Sequence, residues 1–267
     1  MEPDLFAVRS ALFLPASNPR AIAKARQSAA DLVILDLEDA VKPADKGAAR
    51  AAAVEAIRDD WPMPVAIRVN GIGTEWHSVD VDAVSRSSAA FAVLPRASSA
   101  HLVHNVAAAI GKPLLAMVET AQGVLSAPEI AGECAALIAG TNDLAADLRL
   151  PPSAGRPPLR VALQTILLAA RARGIAAFDG VFNRLDDPDG FGAECEEGRQ
   201  LGFDGKSLIH PGQIEACNRT FSPSEAELER ARRLVEAATG GAERFEDEMI
   251  ESMHVAAARR LMERARG

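Results

Sequence analysis

Leu114-Leu115-Ala116-Met117-Val118-Glu119 and, further along, Ala136-Leu137-Ile138-Ala139-Gly140-Thr141-Asn142-Asp143 decide how this chain folds. Each is a short, unbroken apolar run with a carboxylate at or just past its end. Unbroken apolar runs, unlike alternating ones, suit strands buried on both faces, as in a parallel sheet covered by helices. The two strands read as Leu114–Glu119 and Ala136–Gly140, and six more runs of the same kind accompany them. These are Ala11–Pro15, Leu32–Glu38, Val65–Asn70, Phe91–Arg96, Ala177–Phe182 and Phe203–Ile209. Helical segments lie between the runs, among them Pro19–Ser28, Ala44–Asp59, Ser98–Ile110, Leu159–Arg173 and Gly190–Leu201.

Eight strands alternating with helices admit an open doubly wound sheet or a closed barrel. An open sheet gathers its functional groups at one switch point, whereas a barrel gathers them from all round its C-terminal face. Here Glu38, Asp39, Arg68, Asn70, Arg96, Glu119 and Asp143 stand at the C-terminal ends of many different strands, which favours a (β/α)8 barrel of the TIM type. A length of 267 residues suits one such barrel. The pattern changes after the eighth strand. His210-Pro211 opens a short helix to about Asn218. Ser222-Pro223-Ser224-Glu225 then reads as a helix start, with a helix to about Ala238 that stops at Gly240-Gly241. A last amphipathic helical segment is expected over about Glu248–Arg266. The expected organisation is a barrel over 1–220 and a C-terminal helical extension over 221–267, acting as a lid or an oligomer contact.

Composition excludes several classes. A net charge of −8 argues against nucleic-acid binding, which needs a concentrated basic face. No uncharged apolar run is long enough to span a membrane, and Met1 to Arg9 lacks the apolar core of a signal peptide. Cys134, Cys195 and Cys217 are odd in number and match no zinc spacing, as expected of reduced thiols in a cytoplasmic protein. Of Lys24, Lys42, Lys46, Lys112 and Lys206, just Lys206 lies in a strand, where a structural role is simpler than a Schiff base. No G-x-S-x-G turn occurs, and Gly71-Ile72-Gly73 lacks the third glycine of a dinucleotide loop.

Glu119 alone reads as a strand-end acid, and Asp143 alone as a helix cap. Their strands are successive and therefore neighbours in a barrel, so the two carboxylates can converge. Two oxygen donors with open positions suit Mg²⁺, which keeps waters and borrows ligands from its substrate. No His stands at zinc spacing beside them, and His101 and His104 read as helix-surface residues. Arg68 ends the third strand, where it can stabilise an enolate oxygen, grip a carboxylate, or bridge to Glu38 or Asp39. In Leu35-Asp36-Leu37-Glu38-Asp39, Asp36 and Glu38 are expected on one strand face. Glu38 and Asp39 then either orient Arg68 or hold water on the metal.

Several motifs, in order along nearly the whole chain, carry a family resemblance. They are Arg9-Ser10-Ala11-Leu12-Phe13-Leu14-Pro15, Leu35-Asp36-Leu37-Glu38-Asp39-Ala40-Val41, Arg68-Val69-Asn70, Val118-Glu119-Thr120-Ala121-Gln122-Gly123, Asn142-Asp143-Leu144, Gly202-Phe203-Asp204-Gly205-Lys206 and Ile209-His210-Pro211-Gly212-Gln213-Ile214. In combination they resemble the citrate lyase β-subunit-like proteins of the HpcH/HpaI aldolase/citrate lyase family. The resemblance implies a Mg²⁺-dependent lyase that reversibly cleaves a carbon–carbon bond in a malyl-, citramalyl- or citryl-CoA thioester and releases a small oxo acid. It implies Glu119 and Asp143 as metal ligands, Arg68 as a substrate contact, and a homo-oligomer, a trimer, whose C-terminal segment closes a neighbour's site. The family's tail Asp, which acts on the thioester, falls on Glu251, and Met253 stands where relatives have Pro. Leu163, Arg149 and Arg184 also depart from the usual pattern. Three alternatives stay open. One is a citrate lyase β subunit acting on a carrier-protein thioester. The others are a metal-binding relative that has lost thioester chemistry and an aldolase that uses no thioester.

Overall fold

The computed structural model describes residues 3–265. Met1 of the expected leaderless start, and Arg266 at the expected end of the last helix, lie outside them. Eight parallel strands close into a barrel in chain order. They are β1 (Ser10–Pro15), β2 (Leu32–Asp36), β3 (Val65–Arg68), β4 (Phe91–Leu94), β5 (Leu114–Val118), β6 (Ala136–Ala139), β7 (Ala176–Asp179) and β8 (Gly205–Leu208). The helices round them are α1 (Pro19–Ala25), α2 (Lys46–Ala56), α3 (His77–Ser85), α4 (Ala100–Ile110), α5 (Ala121–Leu125), α6 (Ala127–Ile130), α7 (Thr141–Asp147), α8 (Arg160–Arg173), α9 (Pro188–Leu201) and α10 (Ile214–Phe221).

Two apolar layers make the fold, and strand alternation sorts residues between them. Leu32, Ile34, Phe91, Val93, Leu115, Met117, Ile138 and Phe178 fill the barrel interior. Their sequence neighbours Val33, Leu35, Ala92, Leu94, Leu114, Ala116, Val118 and Leu137 pack outward against the helices. Both faces of each strand are thus buried, as their unbroken apolar runs require. Local chemistry sets helix ends: the Ser99 side chain accepts from Leu102 N–H to start α4, and Gly111 at φ 65° ends it.

The strands stop earlier than their apolar runs suggest. β2 ends at Asp36, because Asp36 Oδ1 and Oδ2 accept from the N–H groups of Glu38 (2.8 Å) and Ala40 (3.0 Å) and turn the chain out of the ladder. Glu38 therefore stands beyond the strand and does not share a strand face with Asp36. Lys206 points away from the barrel axis, fully buried, and donates to Asp179 (2.9 Å) and Glu194 (2.8 Å).

The tail corrects the expected last helix. After α11 (Glu225–Ala237), β9 (Glu243–Phe245) and β10 (Glu248–Ile250) form an antiparallel hairpin, and only then does α12 (Ser252–Arg264) begin. Phe245 and Ile250 turn inward together with Ala231, Leu234 and Ala258, forming a small core separate from those of the barrel. Glu246 at φ 53° makes the turn between the strands. Among the described residues, no helix is long and apolar enough to cross a membrane.

Candidate active site

The C-terminal mouth of the barrel opens into a cavity of about 330 Å³. Asp36, Asp39, Arg68, Glu119 and Asp143 line it with apolar Phe13, Met117, Val181 and Ile209. Of the expected site residues, the structure brings Arg68, Glu38, Asp39, Glu119 and Asp143 together and leaves Glu251 apart. Glu251 is exposed at the start of α12 and does not line this cavity.

Glu119, the residue after β5, is 2% exposed. Its Oε1 accepts the Arg96 backbone N–H at 2.6 Å. Arg96 adopts φ 51°, a left-handed conformation uncommon for a non-glycine residue, and this aims that N–H at the carboxylate. The Arg96 side chain also reaches Asp143, Nη1 to Oδ1 at 3.4 Å. Asp143 sits in the first turn of α7, whose N-cap is Gly140, so it is not the helix cap and its carboxylate remains half exposed at the mouth. Gly140 has to lack a side chain, because a Cβ there would overlap Glu119 Oε2 and Cβ.

Arg68 is 7% exposed and tightly held. Its Nε and Nη2 make a bidentate pair with Asp36, both at 2.6 Å. Its Nη1 lies 2.9 Å from Glu38 Oε2 and 3.4 Å from Asp39 Oδ2. The Glu38 contact is a charge pairing without hydrogen-bond alignment. The Phe13 ring lies 5.3 Å beneath the guanidinium. The expected bridge to Glu38 and Asp39 is present, but Asp36 is the main partner. β2 and β3 put Asp36 and Arg68 directly opposite each other, a register that spacing along one strand does not reveal.

A support network missed in the sequence holds the turns after β2 and β3. Lys46, 5% exposed, donates to the carbonyls of Leu37 and Glu38 (2.9 Å each) and to Asn70 Oδ1 (2.5 Å). Asp80 accepts from both Asn70 N–H and Nδ2 (2.9 and 2.6 Å) and from Arg50 Nε (2.5 Å). Lys46 and Asp80 sit on α2 and α3, away from any strand end, so strand-end inspection passes over them.

The electrostatics follow from burying acids beside one another. Burial, opposed by Arg68 and reinforced by Asp39 and Glu119, pushes Glu38 up to about 8. Burial and then the Asp143 charge push Glu119 up to about 7, against the pull of the Arg96 N–H. Burial works to lower the Arg68 pKa, but the hydrogen bonds and charge of Asp36 outweigh it and the value is raised. Two mutually repelling carboxylates at an open mouth form a donor set suited to a divalent cation. Among the described residues, no cluster of three or more His, Cys, Asp or Glu side chains offers a fuller ligand set. A pair that supplies only part of a coordination shell matches an ion that keeps waters and borrows ligands from its substrate.

A barrel that gathers paired carboxylates and a pinned arginine at its C-terminal face has the layout of a (β/α)8 enzyme site. Comparison with known proteins makes this specific. The chain belongs to the HpcH/HpaI aldolase/citrate lyase family, whose model matches residues 9–211. A model for a C–C bond lyase of the TIM-barrel fold matches 158–267, which takes in the tail. A (3S)-malyl-CoA thioesterase of Cereibacter sphaeroides is 44% identical over 269 residues, spanning 96% of this chain and 94% of that protein. The citrate lyase subunit beta of Leuconostoc mesenteroides is 35% identical over 246 residues, spanning 86% of this chain and 82% of that protein. The crystal structure of CitE from Mycobacterium tuberculosis, in complex with magnesium, acetoacetate and coenzyme A, superposes with a TM-score of 0.87 at 36% identity. That match covers 98% of this chain and 100% of CitE.

Proposed function

We propose that the protein is a Mg²⁺-dependent lyase that cleaves, and in reverse forms, the carbon–carbon bond of a malyl-type 3-hydroxyacyl-CoA thioester, releasing an oxo acid. The observation that carries this reading is the Glu119–Asp143 pair lining one cavity at the barrel mouth together with Arg68. Glu119 and Asp143 would hold the cation. When bound, it supplies the positive charge that grips the oxo acid's oxygens and polarises its carbonyl.

The chain's own groups do the rest. Asp36 fixes two of the three guanidinium nitrogens of Arg68, leaving Nη1 as the donor edge for negative charge that develops on the thioester oxygen. Glu38, held near 8, can keep or release a proton close to neutral pH beside that charge. Asp39, largely exposed, stands at the entrance. The apolar lining of Phe13, Met117 and Val181 limits water around the breaking bond. Glu251 takes its part from outside this cavity. In our reading the segment over 221–267 is a separate unit that carries Glu251 to the site of a neighbouring copy in a homotrimer, and the protein works in the cytoplasm with its cysteines reduced.

The test is incubation with (S)-malyl-, citramalyl- and citryl-CoA in the presence of MgCl2, following the free oxo acid and the acyl-CoA product together. Oxo acid released in step with acyl-CoA is expected. No turnover of any of the three by folded, Mg²⁺-binding protein overturns the reading, and turnover of a carrier-protein thioester alone would make it a citrate lyase β subunit. A second reading is hydrolysis of the thioester, favoured by the 44% identity to a protein named (3S)-malyl-CoA thioesterase. It predicts free CoA thiol and malate with no oxo acid.

A further inference from the structure

The cavity wall carries two buried hydroxyl residues that no step above uses, Thr141 and Ser207, and the Ser207 hydroxyl stands without a partner among the described residues. In β6 and β7, Ala136, Ile138, Ala176 and Phe178 face the barrel axis. Alternation then puts Gly140 and Gly180 inward one position further up, and Glu119 and Ser207 inward on β5 and β8. Val118 pairs with Ala139, Ile138 with Phe178 and Asp179 with Lys206. Continued one or two residues toward the mouth, this register sets Glu119, Gly140, Gly180 and Ser207 in one row across four neighbouring strands. The two middle positions have no side chain. The Glu119 carboxylate lies over Gly140, and the Thr141 side chain lies over Gly180, where a Cβ would overlap each of them. The glycines thus make room for those two side chains, and Glu119 at one end and Ser207 at the other border one cavity together with Gly140 and Thr141.

Ser207 is 1% exposed and lines the cavity, yet its Oγ has no hydrogen-bond partner among the described residues. An unpaired buried hydroxyl is costly and rare unless something binds there. Ser207 is as buried in the barrel wall as Glu119. A molecule that reaches both ends of the row must be small and sit inside the barrel, which fits the oxo acid and not the long thioester arm entering from outside.

We propose that Ser207 is a substrate-binding residue whose hydroxyl donates to a carboxylate oxygen of the bound 2-oxo acid, fixing its orientation from the side opposite the metal-ligand end of the row. This rests on the oxo-acid reading of the site. In an apolar surrounding a single hydroxyl donor to a charged oxygen discriminates strongly, since an acid without an oxygen at that point leaves the hydroxyl unpaired.

The experiment is calorimetric titration of wild type and Ser207→Ala with MgCl2 alone, then with glyoxylate, pyruvate and oxaloacetate in saturating MgCl2, together with the thermal midpoint of each protein. Ser207→Ala is expected to keep the wild-type Mg²⁺ affinity, to keep or raise the midpoint, and to bind at least one of the three acids roughly tenfold to a hundredfold more weakly. Oxo-acid affinities within twofold of wild type overturn the proposal and leave the oxo-acid reading standing. A fall in midpoint with a parallel loss of Mg²⁺ affinity also overturns it, because that is the signature of a packing role. Wild type that binds none of the three acids overturns the oxo-acid reading and the proposal together.

Discussion

Asp36→Asn tests the arginine clamp at one atom pair. In the native site Oδ1 accepts from Arg68 Nε (2.6 Å) and Glu38 N–H (2.8 Å), while Oδ2 accepts from Arg68 Nη2 (2.6 Å) and Ala40 N–H (3.0 Å). Asparagine keeps the shape, but whichever way its amide turns, the NH2 faces two N–H donors and loses both bonds. Arg68 and Asp36 are 7% and 1% exposed, so the guanidinium also loses its main counter-charge at a largely buried position. Breaking a buried pair from one side costs about 3–5 kcal/mol. For a chain of this size that is a fall in thermal midpoint of roughly 6–20 °C. An arginine displaced by about 1 Å from the reacting oxygens should lower kcat by on the order of a hundredfold. The measurements are thermal unfolding and steady-state turnover, with the double variant Asp36→Asn/Arg68→Met as a control. Removing both charges while keeping the asparagine of the single variant beside the Glu38 and Ala40 N–H groups should recover much of the stability and none of the activity, because a buried ion pair is weak as a source of net stability. A single variant destabilised by less than about 1 kcal/mol, or a double variant no more stable than the single, would refute this account of Arg68.

Four further outcomes follow from the same geometry. Gly140→Ala should abolish Mg²⁺ binding measured by calorimetry, since its Cβ overlaps Glu119 Oε2, and should lower stability by about 1–3 kcal/mol through overpacking; normal Mg²⁺ affinity would contradict it. Mg²⁺ affinity should rise about tenfold per pH unit up to about 7 and level off above, because the cation competes with the proton on Glu119, whose pKa is raised from 4.5 to about 7. The sign for stability is opposite without metal: the folded state binds the extra proton between those values, so metal-free stability falls as pH rises through that window, and a flat calorimetric and thermal pH series would exclude both effects. Lys46→Met should cost on the order of 2–4 kcal/mol by leaving the Leu37 and Glu38 carbonyls unpaired, and a thermal midpoint equal to wild type would show that the turns do not depend on it.

The order of the strands, the closure into a barrel and the Glu119–Asp143 pair were legible in the sequence. Continuous apolar runs record burial on both faces, and a charge at the end of such a run can only emerge at the mouth. Arg68 was legible for the same reason. The hairpin over Glu243–Ile250 was not, because three-residue strands are too short to show a period, and burial of Phe245 and Ile250 against α11 and α12 decided them. Asp36 was seen as one acid of a dense group, but its choice as the bidentate partner of Arg68 came from the β2–β3 register, a relation between residues 32 apart in the chain. Ser207 carries no signal in its own motif. Only the shared register of β5 to β8 places it in the inward row that holds Glu119, on the wall of the same cavity. Sequence by itself therefore determined which elements form and which carboxylates reach the mouth, because local burial patterns encode both. Tertiary structure alone decided which groups hold one another there, because those pairings are set by strand register and by what the missing side chains leave open.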